Sequence, residues 1–211
     1  MNAQLVLKDQ RIAVREIVVK GWLLDDIHQP LSFSIDVICE KHQFLEGWRL
    51  APHFYDECFA KDVHDWTALE QQRFTVAEDG DEDSFPTLYL CAHMSLPRSD
   101  IRFGKRDAGA GFAFSWNGWA DANLSPEYGE HMPFSITGVA RCASIEVRFK
   151  EPESGMPAGA ETAAREVLRT RAVRQDHLAF SEWRRFRDDP ADPDFHTIWA
   201  SFVPRSPGTS A

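Results

Sequence analysis

Residues 31–40 read LSFSIDVICE. Leu31, Phe33, Ile35, Val37 and Cys39 take every second position, and Ser32, Ser34 and Asp36 stand between them. Successive side chains of an extended chain point to opposite faces, so this pattern makes a strand with one apolar and one polar face. The same period recurs along the chain. Leu88, Leu90, Ala92, Met94 and Leu96 alternate within 87–96, and Phe112, Phe114 and Trp116 form a third row. Residues 134–139 and 144–150 add two more; in the latter Ile145, Val147 and Phe149 alternate with Glu146, Arg148 and Lys150. Gly, Pro, Asn and Asp clusters separate these runs, as they do in antiparallel sheets.

The N-terminal stretch refines the pattern. Residues 5–7 and 12–19 read as two strands joined by a turn at 8–11. Ile12 and Val14 share one face, whereas Ile17 and Val19 fall in the opposite phase. A slip of one residue at Arg15 and Glu16 predicts a β-bulge.

Toward the C-terminus the period changes. Residues 151–157, EPESGMP, read as a linker, and 161–187 contain no Gly or Pro. Ala164, Leu168, Ala172, Gln175, Ala179, Trp183 and Phe186 recur at steps of three and four, which predicts one long amphipathic helix. Asp188, Asp189 and Pro190 would end it. Asp194 would cap a short second helix with Phe195, Ile198, Trp199 and Phe202 on one face. The expected fold is therefore α+β: a predominantly antiparallel β-sandwich or open barrel over 1–150, the linker, and a C-terminal helical segment over 158–211 packed on the β domain. Within the irregular stretch 41–80, Asp65 is expected to cap a short helix running to Arg73.

The chain has 211 residues and a net charge of −10, with 15 Phe and 7 Trp. An acidic field repels nucleic acid and favours a basic partner. The first residues lack a basic and apolar leader, no apolar run reaches membrane-spanning length, and the four cysteines form no C-x-x-C pair. These features point to a cytoplasmic protein with free thiols. The charge is uneven: 161–187 hold seven arginines against four acids.

Motifs with a specific chemistry are missing. Asp79, Asp81 and Asp83 have calcium-loop spacing, but Ser84 and Leu90 stand where an EF-hand needs Gly and Glu. His53, His64, Cys91 and His93 are the candidate metal ligands, without a tight zinc spacing. Arg98, Arg102, Lys105 and Arg106 accompany Gly104, Gly109 and Gly111 in a loop suited to an anion, without the order of a phosphate loop. No cofactor motif is present.

Three functions follow as expectations. The first is a non-catalytic protein-binding protein, an immunity- or antitoxin-type inhibitor or an adaptor, meeting a basic partner through Asp79, Asp81, Glu82, Asp83, Asp56, Glu57 and Asp65. The second is a metal-assisted hydrolase built on His53, His64, Cys91 and His93. The third is a β module holding a small ligand or sugar on Trp116 and Trp119.

Overall fold

The computed structural model describes residues 3–24, 31–45, 48–60, 63–76, 85–107, 109–121, 131–150, 159–187 and 196–205. Strands β1 (Gln4–Leu7) and β2 (Gln10–Leu24) form a hairpin whose turn holds Lys8 at φ 57°. Strand β3 (Ser32–Cys39) pairs antiparallel with β2, and the register jumps between Val14 and Glu16. The bulge sits where the apolar phase slips, and it returns Ile12, Val14, Ile17 and Val19 to the core side. A small separate sheet follows, β4 (His42–Leu45) with β5 (Trp48–Leu50). Then β6 (His53–Ala60) pairs with β3.

One turn of 3-10 helix, Trp66–Leu69, is capped by Asp65, whose carboxylate accepts from Thr67 N at 3.1 Å. It stops short of the expected Arg73, because β7 (Arg73–Val76) already pairs with a later strand. Short strands β8 (Thr87–Tyr89) and β9 (His93–Ser95) extend the sheet from β6. Strands β10 (Arg98–Arg106), β11 (Gly111–Ala120) and β12 (Met132–Lys150) form a meander.

The long strand β12 organises the whole. Its first half pairs antiparallel with β1, which lies between it and β2. Beyond β1 the two long strands close together and pair in parallel, from Arg141↔Val18 to Arg148↔Leu24. Gly138 marks this closure: a Cβ there would meet the Ala3 Cβ at 2.7 Å. The inner faces then pack on one another. Phe54 of β6 lies 5.9 Å from Trp116 and 4.9 Å from Phe134, and Phe59 stacks 5.5 Å from Phe103. These edge-on and offset contacts join both arms of the sheet into one aromatic core.

The C-terminal region departs from the expected long helix. The only helical α segment among the described residues is α1 (Ala160–Thr170). Ala160, Ala164, Val167 and Leu168 bury its apolar stripe, and Arg165 pairs with Glu161 one turn before it. Ala172 then takes φ 55°, and Val173 N bonds back to Leu168 O. That left-handed residue ends the helix as a C-terminal glycine usually does. Residues expected to continue it form β13 (Leu178–Arg187), and those of the expected second helix form β14 (His196–Pro204). Strand β14 joins the main sheet through the second half of β12. The described residues are thus mostly antiparallel β with one short α-helix. The linker at 151–157 and the caps at 188–194 lie outside the described residues.

Gly118 supplies a test of the register. It faces Ser99 across β10 and β11, and a Cβ there would lie 2.2 Å from Arg98 O and 2.9 Å from Phe134. Gly118→Ala is expected to cost more than about 2 kcal/mol in urea unfolding, since backbone must shift to admit the methyl. Gly109→Ala, with its nearest neighbour at 3.5 Å, is expected to change stability far less.

Candidate functional site

The outer, polar face of the sheet hollows into a cleft across β2, β3 and β6. Strand alternation sends Phe33, Ile35 and Val37 inward, leaving Ser32, Ser34 and Asp36 on the outer side. Their cross-strand neighbours are Lys20 and Trp22 of β2 and Tyr55 of β6. The cleft has a volume of about 670 Å³, and Lys20, Trp22, Asp36, His53, Tyr55 and Cys58 are among its lining residues.

Hydrogen bonds hold its walls in place. Trp22 Nε1 donates to Ser34 Oγ at 2.8 Å, fixing the indole against the strand. His53 Nε2 lies 2.8 Å from Asp36 Oδ1 and donates to it. Tyr55 Oη shares a 2.8 Å hydrogen bond with His93 Nδ1 of β9, and its ring lies 5.1 Å from that of His53. Trp22 in turn meets Trp199 of β14 edge-on at 5.5 Å, and the Arg148 guanidinium lies over Trp199. Asp56 also lines the cleft; it is 7% exposed, and its carboxylate accepts from Cys58 N at 2.8 Å. The result is a set of aromatic walls with fixed carboxylates, a hydroxyl and one lysine between them. Such a surface can stack on a ring and hydrogen-bond to a polar rim.

The residues expected from sequence fall in different places. Asp79, Asp81, Glu82 and Asp83 lie outside the described residues. Asp56 and Asp65 are buried, each bonding its own backbone, and Glu57 is exposed. His53 and His93 lie on either side of Tyr55, whereas His64 and Cys91 are exposed elsewhere on the chain. Among the described residues no three His, Cys, Asp or Glu side chains are grouped so as to hold a metal ion.

The basic residues near the glycine loop are strung along β10. The Arg98 guanidinium lies over Trp119 and that of Arg106 over Trp66. Arg102 pairs with Asp100, and Lys105 is exposed. The loop's backbone donors already have an anion: Asp107 accepts from Gly109 N at 2.7 Å and Gly111 N at 2.9 Å. Those two bonds hold the Asp107 carboxyl below its ordinary range. Trp116 is fully buried and donates to Ser99 Oγ, so it presents no ring to a sugar.

Lys20, Trp22, Ser34, Asp36 and Tyr55 were not singled out as site residues by sequence reasoning. Ser34 and Asp36 stand in the polar half of the 31–40 alternation, which reads equally as a solvated face, and the others reach them only through strand pairing. No protein-family model, curated protein or solved structure matches this chain.

Asp100 gives a pH test of the β7–β10 edge. Hydrogen bonds from Arg102, and then Arg73, hold its carboxyl down at about 2. Because the folded value is lowered, its stabilisation is present above the unfolded value near ~4 and is lost as pH falls through about 2. Asp100→Asn is expected to lower stability at neutral pH by under ~1 kcal/mol, as suits a partly solvated pair. The gap between variant and parent should close in urea melts at the acid end of that window.

Proposed function

We propose that this chain binds a small polyhydroxylated ligand, of saccharide type, in the cleft of β2, β3 and β6. The observation that carries the reading is the cleft itself: about 670 Å³, walled by Trp22 and Tyr55, with Asp36, His53 and Ser34 between them. Its volume falls in the range of small-molecule sites. Aromatic faces suit the C–H faces of a sugar ring, and carboxylates accept hydrogen bonds from vicinal hydroxyls. Asp36, Asp56 and Glu57 outnumber Lys20, so a phosphorylated or carboxylated ligand would meet net repulsion. The sandwich-or-open-barrel arrangement is part of this reading, with the aromatic core on the inner face of the sheet and the cleft on the outer one.

A second reading, capture of a basic protein by a non-catalytic inhibitor or adaptor, keeps the support of the net charge of −10 and of the exposed Glu57 lining the cleft.

Titration calorimetry with neutral disaccharides, cellobiose and maltose among them, tests the first reading. One of them is expected to bind, and Trp22→Ala and Asp36→Asn to remove the heat. A panel without a binder, or undiminished binding by Trp22→Ala, would overturn it.

The cysteines give an independent readout. Burial pushes the thiols of Cys39 and Cys142 up to about 12, whereas Cys91 is exposed and Cys58 is half-buried in the cleft. Iodoacetamide is expected to label Cys91 and spare Cys39 and Cys142 in the native protein. A saturating ligand should slow labelling of Cys58 and leave Cys91 unchanged, as peptide mass analysis would show.

A further inference from the structure

Strand β13 (Leu178–Arg187) is bonded along its length to β14, and no other strand among the described residues pairs with it. The other sheet edges are short: β7 has 4 residues and β9 has 3, against 10 in β13. Residues 181–185 are all exposed. Long exposed edges invite pairing, and proteins commonly guard them with charge. Arg184 and Arg185 would serve as such guards. Trp183 does not fit that role: at 44% exposure it is the most exposed large apolar residue among those described. A tryptophan followed by two arginines is the composition of an interface anchor.

We propose that β13 is a docking edge for an extended, acidic segment of a protein partner, which would add to the sheet as a further strand. Main-chain hydrogen bonds would supply the alignment and side chains the choice. Alternation puts Trp183 and Arg185 on one side of the strand and Glu182 and Arg184 on the other. An incoming strand therefore meets an arginine on either side, and an apolar shelf beside one of them. Arg184 also reaches Glu146 at 3.5 Å, which ties that side chain toward the sheet. The charge is local: β13 holds three arginines against one acid in a chain of net −10. A second copy of this chain is a poor occupant, because antiparallel pairing about 184 and 185 would set arginines opposite arginines.

The test is calorimetric titration of the whole chain with a capped octapeptide of alternating valine and glutamate, and with its valine–lysine counterpart. The glutamate peptide is expected to bind with an affinity that falls on adding salt. Arg185→Glu is expected to weaken it about tenfold. Trp183→Ala is expected to weaken it as well, with circular dichroism confirming that both variants fold. Equal binding of the two peptides, binding of neither, unchanged affinity in Arg185→Glu, or self-association through β13 would each overturn the proposal. Disaccharide binding by Arg185→Glu should match that of the parent, which separates this outcome from that of the cleft.

Discussion

Phe54 projects from β6 into the space between Trp116 of β11 and Phe134 of β12, and the other features depend on that wedge. Strand β6 reaches this position only if the sheet turns back on itself, since four other strands separate it from β11 along the bonded order. The turn is made by long, bulged strands and is stabilised by rings: Phe59 against Phe74 and Phe103, and Phe103 against Phe112 and Phe114. Bulky rings fill the gap between two curved faces with few side chains. The inward turn of β6 also curves its outer face into the cleft, so Tyr55 and His53 approach Asp36 as Phe54 enters the core. Core packing and the candidate site are two sides of the same three strands.

The second constraint lies between β2 and β12. They begin apart, with β1 between them, and end as direct neighbours. The approach at Gly138 leaves 2.7 Å between a would-be Cβ and the Ala3 methyl, so the seam tolerates hydrogen there and little else. Beyond it the two strands run side by side, and the free edge of β12 takes up β14. Trp22 and Trp199 then stand on opposite sides of β12 and meet over it. A C-terminal hairpin distant in sequence thus becomes the outer support of the cleft wall.

How much of this was legible in the residues depended on which period dominated. The run at 31–40 could be read as a strand without ambiguity, and even the bulge at Arg15 was visible as a one-residue change of phase. Asp65 read correctly as a cap, and its helix was overextended because β7 is held by pairing with β10, a non-local bond. The C-terminal region misled for a physical reason. Ile198, Ala200 and Phe202 alternate, but Ala200 is too small to announce itself as core, and Phe195, Ile198, Trp199 and Phe202 also satisfy a helical step. Likewise the helix ends at Ala172, a good helix former, which takes a left-handed φ for the sake of burying Val173 and Leu178. Propensity is a weak guide where tertiary pairing decides. The cleft was hidden for a different reason: a polar row on a strand looks the same whether water or a ligand lies above it.

Net charge was similarly ambiguous, because it sums over surfaces that differ. The cleft carries Asp36, Asp56 and Glu57 against one lysine, whereas β13 carries Arg184 and Arg185 against Glu182. These surfaces are joined through a short path: Trp22 touches Trp199, Arg148 covers Trp199, and Arg184 reaches Glu146, which lies directly beside Trp22 in the sheet. A buried glutamate is costly without a cation near it. Glu146 is 9% exposed, and the arginine of the edge strand, 3.5 Å away, offsets part of that cost. Opposite charges are thereby held within a few strands of one another, and the position of each group in the sheet says more about what it can meet than the total of −10 does.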